Sequence, residues 1–161
     1  MRPLFKSFGV TVLAAATAAL TWQSADAINV DCGPGGFHRV AVATAVQTTS
    51  STTFIDVPGA AVDIEVNPGG CLLVEVSAQG RTIPPYVGQL RVVVDGEAIV
   101  APSFVSFNST SSSRFDNRRA TFILRNVEGG SRVVKLQFAS ADSFTVTLAK
   151  VIMVVRYSAG A

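Results

Sequence analysis

Along most of the chain apolar and polar residues alternate with a period of two, the spacing of a strand with one buried and one wetter face. Val62, Ile64 and Val66 alternate with Asp63 and Glu65, and Leu72, Val74, Val76 and Ala78 alternate with Leu73, Glu75, Ser77 and Gln79. Leu90, Val92 and Val94 oppose Arg91, Val93 and Asp95, while Val134, Leu136 and Phe138 oppose Val133, Lys135 and Gln137. Val40, Val42 and Val46 predict an earlier strand, and Val105 with Phe107 a short one. The last apolar set is Phe144, Val146 and Leu148, followed by Val151, Met153, Val155 and Tyr157 on the other phase. That change of phase near Ala149-Lys150 predicts a β-bulge, which keeps Lys150 and Arg156 outside. A strand bent there can also pass from one sheet to another.

Turn residues punctuate these runs at Pro58-Gly59, Pro68-Gly69-Gly70, Asp95-Gly96, Gly129-Gly130 and Asp142-Ser143. Asp-Gly between two alternating apolar runs is a strong hairpin signal, because both residues tolerate positive φ. Asp95 is therefore read as a turn residue and not as a chemical group. Two tracts of Thr and Ser, over residues 48–53 and 109–113, are too polar to pack and predict exposed loops. Asn108-Ser109-Thr110 fits the N-glycosylation pattern, although the leader described next is of bacterial type and argues against its use. No amphipathic helix is legible beyond that leader. Short strands with close turns predict an all-β fold: a single antiparallel, jelly-roll-like β-sandwich over residues 28–161.

The first 27 residues read differently. Arg2 and Lys6 precede an apolar run of about a dozen residues, shorter than the ~20 that a spanning helix needs. Ala25-Asp26-Ala27 then supplies a small-x-small cleavage site. Residues 1–27 are thus expected to be a signal peptide, and the rest to be secreted or periplasmic with no membrane span.

Removing Arg2, Lys6 and Asp26 with the leader brings the formal charge from +2 to about +1. So small a balance gives no general electrostatic attraction to nucleic acid. Cys32 and Cys71 are the only cysteines, and an even count in an exported chain predicts a disulfide between them. Such a bridge would pin the new N-terminus to the body.

The succession GGCLLVEVSAQ, LRVVVDGEAIVAPSFVSF, GGSRVVKLQF and VIMVVRY resembles a group of small exported bacterial β-sandwich proteins of uncharacterised function. The shared pattern is a CLLV strand, a VDG hairpin, a proline, an apolar-x-Phe strand, and a Gly-led strand ending in glutamine and an aromatic. Here it falls on Cys71 to Val74, Val94 to Gly96, Pro102, Val105 to Phe107, and Gly130 to Phe138. Where the group often has His before the valine of the Gly-led strand, this chain has Arg132. The resemblance implies an architecture and no site.

Candidate chemistry is sparse. A Ser/His/Asp plan needs a histidine within reach of a nucleophile. The one histidine, His38, opens a predicted strand, and no G-x-S-x-G motif is present. One histidine and two bridged cysteines cannot make a zinc site, and no cofactor is expected. Asp63 and Glu65 share a strand face about 6–7 Å apart, a pair that could serve glycoside hydrolysis or calcium, although a solvated strand face looks the same.

For binding, Tyr86 follows Pro84-Pro85 in a stiff loop that could present its ring to a glycan. Arg114, Arg118 and Arg119 offer guanidinium forks to an anionic partner. Arg114, Asp116 and Arg118 would share one face if that stretch is extended. Val93, Leu73 and Val133 are apolar on the wetter phase, which suggests either a homo-oligomer or a second buried layer. The leading expectation is an exported, non-enzymatic binding or assembly module of the envelope or extracellular space. The alternative is a small carbohydrate-active enzyme or carbohydrate-binding module using Asp63 and Glu65, or Tyr86.

Overall fold

A computed structural model describes residues 36–98, 102–111 and 113–159 of the chain, all within one unit, Asp31–Ala161. The expected leader and Cys32 lie outside the described residues. The described residues form ten strands: β1 (His38–Ala43), β2 (Gln47–Thr49), β3 (Ile55–Val66), β4 (Gly70–Arg81), β5 (Gly88–Val94), β6 (Glu97–Ala98), β7 (Val105–Phe107), β8 (Asp116–Val127), β9 (Gly130–Ser140) and β10 (Val146–Ser158). No helix occurs among the described residues, and every pairing is antiparallel.

The strands make two five-stranded sheets. Sheet A runs β1-β10-β4-β8, with β2 continuing the β1 edge along β10; sheet B runs β3-β9-β5-β6, with β7 also pairing β5. The predicted inner rows meet between them. Ile64 and Val66, Leu90 and Val92, and Val134, Leu136 and Phe138 from sheet B pack with Leu72, Val74, Val76, Val151, Met153 and Val155 from sheet A. This shared core is the sandwich that the alternation predicts.

Local chemistry explains the joints. Asp95 and Gly96 both have positive φ, 54° and 91°, as a two-residue hairpin between β5 and β6 requires. The bulge is where the phase change put it: the β10–β4 register shifts between Ala149 and Ile152, with Lys150 at φ 48°. The strand does not cross between sheets there. It stays in sheet A through its thirteen residues, the extra residue being absorbed by a local bend.

At one end of the sandwich the Phe107 ring lies against two backbones. A Cβ added at Gly88 would stand 2.5 Å from Phe107 Cζ, and one at Gly80 2.8 Å from Cε2. Thr82 and Ser109 bond reciprocally beside it, each backbone N–H donating to the other's hydroxyl at 3.0 and 2.9 Å. At the opposite end the Tyr157 hydroxyl accepts from Asn67 N–H at 3.0 Å and donates to Asn67 C=O at 3.1 Å.

Several expectations are corrected. Thr49 and Ser109 are buried, so neither polar tract is wholly an exposed loop, and Gln47–Thr49 is a strand. Hydrogen bonds offset the cost of burying Ser109. Pro58-Gly59 lies inside β3, where the β3–β9 register shifts between Asp56 and Ala61, and does not separate two strands. Phe144 precedes β10 and is exposed. The phase of β1 is inverted: Ala41 and Ala43 face the core, whereas Val40 and Val42 are 50% and 57% exposed.

Candidate functional site

The side chains that point away from the core differ between the sheets. On sheet A the register aligns them in rows across four strands. Val42, Ile152, Ser77 and Arg119 form one row; Val40, Val154, Glu75 and Thr121 the next; His38, Arg156, Leu73 and Ile123 the third. Six of these twelve are aliphatic, and Val40, Val42 and Ile152 are openly exposed. Aliphatic side chains gain free energy on leaving water, about 25 cal/mol per Å² removed. Near the centre Arg156 donates to Glu75 at 2.9 Å, so the one carboxylate in these rows is already neutralised. Beside the bulge lies a concavity of about 220 Å³ lined by Glu75, Val76, Ser77, Arg119, Ile152 and Val154.

On the outer side of sheet B the polar groups bond to one another. Arg91 Nε donates to Gln137 Oε1 at 2.8 Å, Gln137 donates to Asp56 at 2.6 Å, and Lys135 bonds the other Asp56 oxygen at 2.9 Å. The Arg91 guanidinium also lies 4.3 Å from the Phe54 ring centroid. The Gln137 amide first, then the Lys135 ammonium, hold the Asp56 carboxyl below its ordinary pKa. Val93, on the same outer phase, is fully buried, and Val133 is half-buried. Of the two, only Val93 is shut off from water, as a second buried layer would have it. Leu73, on sheet A, belongs instead to the half-exposed apolar face.

The sequence-predicted arginines do not form one surface. Arg118 lies on the inward phase of β8, paired with Asp116 at 2.9 Å, donating to Asn108 C=O and stacked 6.0 Å from the Phe107 ring centroid. Its Nε is buried without a hydrogen-bond partner. Arg119 points to the opposite side of the sheet, into the concavity, and Arg114 is exposed before the strand begins. Adjacent residues on a strand face opposite ways, which separates Arg118 from Arg119.

Tyr86 is half-buried and stacks on Phe144, with ring centroids 3.4 Å apart and planes inclined by 12°. One face of its ring is thereby used within the chain. Asp63 and Glu65 are exposed on β3 opposite Val133 and Ser131, on an edge strand. Among the described residues no three His, Cys, Asp or Glu side chains stand close enough to hold a metal. His38 is exposed at the start of β1. Cys71, the second residue of β4, is half-buried and is not a free thiol, whereas its expected partner, Cys32, is outside the described residues.

Asp95 carries more than its turn. Its carboxylate accepts from Val133 N–H at 2.8 Å and from Arg132 at 2.9 Å, tying the hairpin tip to β9. The Val133 N–H, then Arg132, lower its pKa.

The residues that sequence reasoning missed are the outward aliphatics of sheet A: Val40, Val42, Ile123, Ile152 and Val154. Their signal was present as apolar residues on both phases of one strand, Ile152 and Val154 beside Val151, Met153 and Val155. No protein-family model matches this sequence, and no curated protein is significantly similar to it.

Proposed function

We propose that the chain is an exported, non-enzymatic assembly module, built as a jelly roll, whose contact surface is the outer face of sheet A. The observation that carries this reading is the contrast between the outer faces. Arg91, Gln137, Asp56 and Lys135 on sheet B bond to one another, while sheet A presents exposed aliphatic side chains beside the Arg156–Glu75 ion pair. A face of this kind on an isolated domain marks a site of contact.

The strand order supports the jelly-roll reading. β1 pairs β10, β3 pairs β9, β4 pairs β8 and β5 pairs β6 and β7, a nested set of partners such as a long hairpin makes when rolled over itself. The leader motif at residues 1–27 supports export, as does the likeness to small exported bacterial sandwiches. Export in turn favours a Cys32–Cys71 bridge. The mass of the non-reduced protein is expected to be two hydrogens below that of the dithiol; two alkylatable thiols would overturn the bridge.

The contact surface is tested by cross-linking in the cells that export the protein. Wild type is expected in cross-linked species larger than one chain, and Val42→Asp with Ile152→Asp to run as one chain at equal expression. Identical cross-linking of the two proteins would sink the reading.

A further inference from the structure

We infer that the occupant of the sheet A face is a second copy of this chain, docked head-to-tail so that the Arg119 side of that face receives Asp63 and Glu65 of its neighbour. This rests on the reading of that face as a contact surface and adds the partner and the polarity of the contact.

Size is the first argument. β4 and β8 each run twelve residues. At ~3.3 Å per residue and ~4.8 Å per strand, a four-strand face measures about 40 by 19 Å, or ~750 Å². One partner in a stable protein–protein interface contributes about 800 Å². The face is large enough to hold a folded domain.

Sign is the second. Arg119 and Arg156 point outward from this sheet and Lys150 is exposed at its bulge, while Glu75, the carboxylate of these rows, is already held by Arg156. Two such faces opposed about a two-fold axis would bring cations against cations as the aliphatic centre is desolvated. Like charges juxtaposed at an interface are strongly unfavourable, so the surface that covers this one carries carboxylates.

The third argument is which carboxylates are available. Asp56, Asp95 and Asp116 are held by Lys135, Arg132 and Arg118 at 2.9 Å each, and Glu128 is within 3.4 Å of Arg132. Among the described residues Asp63, Glu65, Glu97 and Asp142 have no cationic partner; Glu97 and Asp142 stand singly, on β6 and before β10, whereas Asp63 and Glu65 project together from β3, an edge strand of the other sheet. Their separation of two residues sets them about 7 Å apart on one side. The concavity beside Ile152, with Arg119 in its wall, offers a recess for such a side chain. Because the donor and acceptor patches are different surfaces, the contact is heterologous. Each copy keeps one of each patch, and a ring forms when the rotation closes.

The test is the molar mass in solution of the purified full-length secreted protein over a concentration series, with thermal melts to verify that each variant folds. Wild type is expected to reach a small whole-number multiple of the single-chain mass. Arg119→Glu and the pair Asp63→Lys with Glu65→Lys should each weaken association at least ten-fold, with Arg119→Gln intermediate. Combining Arg119→Glu with the two lysine changes should restore it to within about three-fold of wild type. A single-chain mass for wild type at every concentration would overturn the proposal, as would association that responds to Arg119→Glu but ignores Asp63 and Glu65. If wild type is a single chain in solution yet loses its cross-links in cells with Val42→Asp and Ile152→Asp, the contact surface stands and its partner is another molecule. If the cross-links are also absent, both readings fail.

Discussion

On the outer side of sheet B, Arg91, Gln137, Asp56 and Lys135 form one bonded row, and Val93 beside them is shut off from water. The corresponding side of sheet A has Val40, Val42 and Ile152 openly exposed, with Leu73, Ile123 and Val154 half-buried on the same face. Both faces belong to strands of similar length with the same alternation. The difference shows that period two says which side chains turn away from the core, and not what they turn towards. On sheet B Arg91, Gln137, Asp56 and Lys135 turn towards each other. On sheet A Val40, Val42 and Ile152 are left exposed to solvent.

The largest contrast is expected from one substitution made on both sides. Val93→Asp places a carboxylate in a site with no exposure, beside a lysine already engaged by Asp56. It should cost about 3 kcal/mol or more, the range for an uncompensated buried charge. Ile152→Asp, at a residue 43% exposed, should change the stability of the dissociated chain by under ~1 kcal/mol. Urea unfolding at low protein concentration measures both, and equal losses would break the comparison.

Removing a carboxylate from each face sharpens it further. Asp56→Ala leaves Gln137 and Lys135 without their acceptor and should cost about 1–2 kcal/mol. Glu75→Ala removes a more isolated surface pair, for which about 0–1 kcal/mol is expected. A larger loss at Glu75 in the dissociated chain would show that the Arg156 pair supports the fold itself.

The smallest effect lies in acid. Asp56 and Asp95 are depressed in the folded state by hydrogen bonds from Gln137 and from the Val133 N–H respectively, with Lys135 and Arg132 adding to them. A depressed folded value means stability that is present above the unfolded pKa and lost as pH falls through the folded one. Unfolding midpoints should therefore decline below about pH 4, the ordinary carboxylate value. Asp56→Asn with Asp95→Asn should flatten that decline, and an unchanged slope would assign the acid sensitivity elsewhere.

Much of the fold was legible because the inner rows alternate cleanly. Ile64 and Val66, Leu72 to Ala78, Leu90 to Val94, Val134 to Phe138 and Val151 to Tyr157 are all core positions, as their spacing predicts. β8 was not, because Phe122, Ile123 and Leu124 are consecutive apolar residues that hide the period, and because the arginines before them look like a surface tract. β1 was read in the wrong phase for a related reason. Its inward residues are Ala41 and Ala43, smaller than the outward Val40 and Val42, so size points away from the core. The candidate surface was therefore concealed by the rule that exposes the core. The arginine cluster failed as a site because neighbours in sequence lie on opposite sides of a strand. Arg118 was spent inside, on Asp116 and Asn108, and only Arg119 reached the aliphatic face.

The place of β10 carries a consequence for the order of folding. It lies between β1 and β4 and also borders β2, so the first strands of sheet A have no neighbour in their own sheet until residues 146–158 are available. The β1–β10 ladder joins residues more than a hundred apart in sequence, such as His38 with Arg156, and chains dominated by distant pairings fold slowly. A polypeptide emerging from its N-terminus can join β3 to β9 and β5, yet it cannot close the other layer until its last strand arrives. Truncation before Val146 would leave an open half with two unpaired edges. Sheet A thereby stays open until β10 is present.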